Sequence, residues 1–290
     1  MITHEFSYRK PETLEEASTL LMENKNSQIL AGGTDLLVKL RKGNHRPDLV
    51  VDIKRIPRLC QLEWKEKGLF IGAGITITGL KNSNEVKKFF PALHQATFRF
   101  GCYEVRNRAT VGGNICNASP GAECGGPAVV YEARVEIFGN GKFRQVPINE
   151  FLTGPGWTSL EPGEIMTGLI LPRPPENSVS AYRRTARVKG QDLATCAITI
   201  LAVNPEKPSD RKIRAGLSAV MKTPFRSPEL EEILSHKAID SKVLKQARTW
   251  LKENIYPRAS SLRGTPGYKK EVMGGMLEIL LEELGLLKKA

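Results

Sequence analysis

The 290-residue chain has no long apolar run. Its longest, Ala194 to Val203, is too short to span a bilayer and reads as a buried strand. The first residues, from Met1 to Ser18, lack the apolar segment of a signal peptide. The expectation is a cytoplasmic protein with no membrane span. Cysteine is sparse and odd in number. Cys60, Cys102, Cys116, Cys124 and Cys196 are scattered and form no CxxC pair, which indicates neither a disulfide framework nor a zinc site. They fit reduced thiols. The four histidines, His4, His45, His94 and His236, lie away from the glycine-rich segments. There is no internal repeat, no low-complexity tract and no zinc-finger, RNP or helix-turn-helix signature.

Acid is also short. Thirty-one Asp and Glu face 43 Lys and Arg, giving a net charge of +12. Such a balance favours an anionic partner: nucleic acid, an anionic cofactor or an acidic protein surface. The cations are spread along the chain and form no single arm, which disfavours nucleic acid.

Local pattern predicts mixed structure. Apolar residues at helical spacing follow Thr13, a helix start. Ser27 to Gly33 reads as a short strand ending on two glycines. The run from Thr34 to Gly43 suits a helix capped by Thr34 or Asp35 and stopped by Gly43. Asp48 to Ile53 is a buried strand, and hairpins are expected around Lys67–Gly68 and at the Gly139-Asn140-Gly141 turn. The Pro172, Pro174 and Pro175 cluster marks the best domain boundary. Three β-rich runs and then three helical runs follow it, as expected of a three-stranded sheet packed on helices.

Two segments stand out. "LAGGTDLL" (Leu30 to Leu37) and "RATVGGNICNASPGAEC" (Arg108 to Cys124) hold adjacent glycines among short polar residues, the second with no helical or strand-like apolar period. Adjacent glycines let several backbone N–H groups point into one concavity, a nest for phosphate that a following helix start strengthens. Two nests in one domain suit a pyrophosphate, hence a dinucleotide. The alternative is that each pair only makes a tight turn. A third segment, "IGAGITITG" (Ile71 to Gly79), imitates the G-x-G-x-x-G fingerprint, but its third glycine is misplaced and no well-placed acid follows about 20 residues on. It reads as a strand end and turn.

Taken in order, "LAGGTDLLVKLRKG", "IGAGITITGL", "RNRATVGGNICNASPGAE", "FLTGPGWTSLEPGEIMTGLILP", "YRRTARVKGQDLATCAI", "RAGLSAV" and "LRGTPGYKKEV" resemble the FAD-binding subunit of molybdenum hydroxylases, a family that includes xanthine dehydrogenase and aerobic carbon monoxide dehydrogenase. The resemblance covers nearly the whole chain. It implies an α+β chain with a vanillyl-alcohol-oxidase-type FAD-binding domain at 1–175, in subdomains of about 1–55 and 56–175. A smaller α/β C-terminal domain would occupy 176–290. It implies non-covalent FAD held by Ala31, Gly32, Gly33, Thr34, Asp35 and Leu36 as a first diphosphate loop and by Thr110, Gly112, Gly113 and Asn114 as a second. Asn117 and Glu123 would meet the ribityl and ribose–adenine side, though aspartate is more usual at the position of Glu123. Phe100 and Met166 would lie beside the cofactor, and Arg183 and Asp192 near the flavin. Read as plain structure, Phe100 is core, Arg183 a solvated strand residue and Asp192 the partner of Arg187 or Lys189.

No residue is a certain catalyst, no metal site is expected in this chain, and no histidine-containing loop argues for covalent flavin. Partners implied are a small [2Fe–2S] subunit and a large molybdopterin subunit in a dimer of heterotrimers, with NAD or another acceptor receiving the electrons. The competing readings are a stand-alone FAD-dependent oxidoreductase of the same fold and a basic nucleic-acid-binding protein.

Overall fold

The structure, a computed structural model, describes residues 4–188 and 191–287. The chain opens with β1 (Ser7–Arg9), α1 (Leu14–Glu23), β2 (Ser27–Leu30), α2 (Leu36–Arg41) and β3 (Leu49–Asp52). Thr13 caps α1: its Oγ1 accepts the Glu16 N–H at 3.1 Å, while the Glu16 carboxylate accepts the Glu12 N–H. Parallel strands in the order β1-β3-β2 make a small sheet.

A 3-10 turn at Pro57–Cys60 leads to β4 (Leu62–Lys65), β5 (Gly68–Gly72), α3 (Ile77–Asn82), α4 (Asn84–Phe89), α5 (Pro91–Phe98), α6 (Tyr103–Arg106), α7 (Val111–Cys116) and α8 (Gly125–Val130). Next come β6 (Arg134–Gly139), β7 (Lys142–Pro147), α9 (Ile148–Phe151), β8 (Leu152–Gly154), β9 (Trp157–Thr158) and β10 (Ile165–Leu171). An antiparallel sheet of five strands runs β4-β5-β10-β6-β7. The β6–β7 turn places Asn140 at φ 51° and Gly141 at φ 72°. That Asn-Gly pair tolerates the positive φ that a two-residue hairpin requires.

The remaining chain forms β11 (Ser178–Thr185), β12 (Cys196–Val203), β13 (Lys212–Ser218), β14 (Phe225–Arg226), α10 (Pro228–Leu234), α11 (Ser241–Asn254) and α12 (Pro266–Glu283). Its antiparallel sheet runs β11-β12-β13-β14, so the expected three strands gain a two-residue edge.

By compactness the chain forms two units. The first takes Met1–Leu80, Cys102–Ala118 and Ala133–Pro172; the second takes Lys81–Gly101, Ser119–Glu132 and Arg173–Ala290. The last crossing falls between Pro172 and Arg173. The two early segments of the second unit are not marked out in the sequence.

In the second unit, side chains alternate across the sheet. Cys196, Ile198, Ile200, Ala215 and Leu217 face a core completed by Leu230, Leu251, Met273, Leu277 and Leu280 from the three last helices. Tyr182, Thr199 and Gly216 lie in register and point to the other face. There α8 rests directly on the strands. A Cβ on Gly216 would lie 2.8 Å from the Gly126 carbonyl oxygen, and one on Gly126 would lie 2.8 Å from Ser218 Oγ.

Candidate functional site

In the first unit, β2 delivers the chain into Ala31–Asp35 just before α2 begins. Gly33 sits at φ 77°, which favours glycine. Gly32 is demanded by packing: a Cβ there would stand 2.0 Å from the carbonyl oxygen of Arg108. The two glycine segments therefore touch, backbone to backbone. Among the described residues, no acceptor is found for the N–H groups of Gly32, Gly33, Thr34 and Asp35. Four successive free donors at a half-buried turn, followed by a helix start, are what a phosphate-binding nest requires.

The second segment is different, and it corrects the expectation. Val111–Cys116 is a short helix, not an open loop. Thr110 caps it, with Oγ1 accepting the Gly113 N–H at 3.0 Å. The Val111 and Gly112 N–H groups donate to the carbonyls of Ile75 and Ala73, at 2.9 and 2.8 Å, and the Asn114 N–H to Thr110. These amides are consumed within the protein, so Thr110, Gly112, Gly113 and Asn114 do not form a second free nest. Gly112 is a glycine for closeness, because a Cβ would meet that of Ala73 at 2.5 Å. The misleading "IGAGITITG" segment thus has a role: its turn after β5 is the floor on which α7 stands.

Asn117, at the end of α7, reaches back to the first loop. Its amide nitrogen lies 3.4 Å from Asp35 Oδ1, and its side-chain oxygen accepts from Lys39 Nζ at 3.0 Å. Lys39 escaped the sequence reading; its position four residues after Asp35, on one face of α2, was the available signal. Met166 is buried on β10, 3.5 Å from the thiol of Cys116. Leu36 opens α2. Lys54 closes the rim, pairing with Asp52 at 2.7 Å and donating to the Ala31 carbonyl at 3.4 Å. Burial pushes the Asp52 carboxyl up, but hydrogen bonds from Lys54 and Tyr8 outweigh it and hold the group below the usual carboxylate range.

The second unit holds Phe100, Glu123, Arg183 and Asp192. Phe100 is buried. Glu123 is 2% exposed and pairs with Arg184 at 2.6 Å. Burial pushes its carboxyl up to about 7, against the pull of the Arg184 and Arg263 guanidinium groups. Arg183 and Arg184 are neighbours on β11 and so point to opposite faces. Arg183 meets Glu283 at 3.1 Å, and both are well exposed. Asp192 accepts from Arg187 at both Nε and Nη2, at 3.0 and 3.2 Å, and these bonds hold its carboxyl below the usual range. Lys189, the other partner considered for Asp192, lies outside the described residues. Arg184 was missed by the sequence reading. Nothing in the sequence sets it apart from Arg183; the structure does, because buried Glu123 needs a buried cation.

The fit to a dinucleotide is supported by the first loop, with four successive N–H groups for which no acceptor is found among the described residues. Among the described residues, no group of three or more His, Cys, Asp or Glu could hold a metal ion, and no helix is long and apolar enough to cross a membrane.

Comparison with known proteins agrees. Residues 4–174 match the model of the FAD binding domain in molybdopterin dehydrogenase, and residues 180–284 match that of the carbon monoxide dehydrogenase flavoprotein C-terminal domain. A putative xanthine dehydrogenase FAD-binding subunit of Escherichia coli is 32% identical over 96% of this chain and 95% of its own. The carbon monoxide dehydrogenase medium chain of Afipia carboxidovorans is 28% identical over 97% of both. A solved carbon monoxide dehydrogenase from Hydrogenophaga pseudoflava superposes with a TM-score of 0.91 at 28% identity, over 97% of this chain and 98% of that one. The chain belongs to the family of FAD-binding subunits of molybdenum hydroxylases, the oxidoreductases of the xanthine and carbon monoxide dehydrogenase type.

Proposed function

We propose that this chain is the electron-transfer subunit of a molybdenum hydroxylase complex, with FAD held non-covalently on the Ala31–Leu36 turn. The observation that carries this reading is the row of unpaired N–H groups from Gly32 to Asp35, locked against Arg108. Backbone donors left without partners disfavour the folded state unless a ligand or water satisfies them. When bound, FAD supplies the redox chemistry, accepting electrons from [2Fe–2S] clusters of a small partner chain and passing them to NAD or another acceptor.

The protein's own residues bind and orient. Gly32 to Asp35 donate to the diphosphate, and Thr34 adds a hydroxyl donor. Thr110, Gly112 and Gly113 contribute by shape: the capped helix start walls the turn, and its dipole favours negative charge. Asn117, fixed by Asp35 and Lys39, meets the ribityl side, and Glu123 the ribose–adenine side. Phe100 and Met166 keep water from the cofactor. Arg183 supplies positive charge near the flavin, and Asp192 limits anionic character there. On this reading residues 1–175 are the FAD-binding domain and 176–290 the C-terminal domain. Substrate is oxidised on a large molybdopterin chain, and the assembly is a cytoplasmic dimer of heterotrimers. The basic surface suits both an anionic cofactor and acidic partner faces.

Purification from the native source tests the proposal. Comigration of this chain with yellow flavin absorbance, iron and molybdenum is expected. A colourless chain with no affinity for FAD would end the reading, and a flavoprotein free of both metals would replace it with the stand-alone oxidoreductase.

A further inference from the structure

Between β11 and β12 of the second unit, the described loop segments Ala186–Val188 and Gln191–Ala194 are held in an unusual way. The neck of the loop is closed by one backbone bond, from the Thr195 N–H to the Thr185 carbonyl at 2.8 Å. Within the loop, no backbone-to-backbone hydrogen bond is formed among the described residues. Side chains hold it instead. Arg187 grips the Asp192 carboxylate. Arg263 Nε stands 3.7 Å from the same carboxylate. Arg184 takes the Asp192 main-chain carbonyl: Nη1 donates to it at 2.8 Å. The same Nη1 donates to Glu123 Oε1 at 2.6 Å.

One nitrogen therefore joins two segments far apart in sequence. The Arg184 side chain is 6% exposed and that of Glu123 2%. So little exposure makes the geometry stiff, since either partner alone would leave a charge buried without compensation. The strand itself decides which arginine does this. Alternation along β11 sends Arg183 towards Glu283 and Arg184 towards Glu123.

We propose that Arg184 is a positioning residue that clamps the Asp192 loop to the Glu123 segment through a single buried guanidinium nitrogen. The inference rests on the FAD reading for its consequence: Asp192 is read near the flavin, and one side chain then sets how firmly its segment is held there. Arg184 itself need not touch the cofactor.

The test is amide hydrogen exchange of the full chain, with and without added FAD, in R184M, R184K and E123Q. Exchange at Gln191 to Ala194 is expected to rise at least about tenfold in R184M, the lower end of the factor for one lost charge-assisted bond. R184K, whose shorter side chain serves Glu123 better than the loop, is expected to lie between R184M and the parent. E123Q removes the buried countercharge but keeps the Arg184 bond to the Asp192 carbonyl, and is expected to raise loop exchange less than R184M. Parent-like loop exchange in R184M overturns the proposal; if R184M does not fold, parent-like exchange in R184K does so. The reduction potential of bound FAD is expected to shift in R184M and to return towards the parent value in R184K. An unchanged potential with a loosened loop would sever the clamp from the cofactor. Failure of the parent chain to bind FAD would instead sink the cofactor reading, and the exchange data would still judge the clamp.

Discussion

At the scale of the residue, Gly32 and Glu123 carry the sharpest expectations. Gly32→Ala sets a methyl group against the Arg108 carbonyl at 2.0 Å, where backbone meets backbone and no rotamer can yield. The expected loss is roughly 1–3 kcal/mol. It should come with loss of FAD retention, checked by denaturant unfolding and by flavin absorbance after gel filtration. Glu123 gives a pH dependence. Its folded-state value of about 7 lies above its ordinary 4.5, so the folded chain binds the extra proton between those values. Its contribution to stability is therefore present at low pH and declines as pH rises from about 4.5 to 7. Glu123→Gln should flatten that part of the stability profile. A series of urea melts from pH 5 to 8 would show it, and an unaltered slope would remove Glu123 from the account. The residue scale is also where the sequence was least legible. The Arg183-Arg184 pair looks symmetric until the register of β11 is known. Lys39 reads as one more surface lysine until Asn117 is placed beside it.

At the scale of the element, much was legible because the signals are local. Thr13 marks α1, Gly43 ends the α2 region at φ 72°, and the Asn140-Gly141 turn closes its hairpin. The segment after Arg108 was not. Val-Gly-Gly-Asn-Ile-Cys has poor intrinsic helix propensity, with two glycines in six residues. It folds as a helix because of partners elsewhere: Thr110 caps it, and carbonyls of Ala73 and Ile75 take the amides of its first two residues. Thr110 is adjacent, but the two carbonyls lie 36 and 39 residues upstream of the amides they accept, beyond the reach of any local pattern. Thr110→Ala removes the cap and should destabilise by about 1 kcal/mol. FAD affinity should fall further than in a matched substitution at the Ser83 cap of α4, because only the first helix walls the glycine turn. Isothermal titration of FAD against both variants distinguishes the two.

At the scale of the whole molecule, the family match divides the chain near the proline cluster, while compactness gives α5 and α8 to the second unit. A fragment of residues 176–290 would expose the sheet face around Thr199 and Gly216 on which α8 rests. We expect it to lack a cooperative transition and to bind a hydrophobic dye, whereas the full chain unfolds cooperatively. A sharp calorimetric peak from the fragment would contradict this. Composition could not have revealed the arrangement: α8, Gly-Gly-Pro-Ala-Val-Val, is buried at every residue, and nothing local says which strands it covers.

That threading has a consequence for biosynthesis. Residues 81–101 and 119–132 leave the ribosome well before β11, β12 and β13 have been translated. Their apolar sides stay uncovered until β13, which ends at Ser218, has been read, so the nascent polypeptide carries sticky helices through the middle of its production. Chaperone demand during expression should accordingly follow completion of the C-terminal strands, not of the stretch that carries the glycine turns.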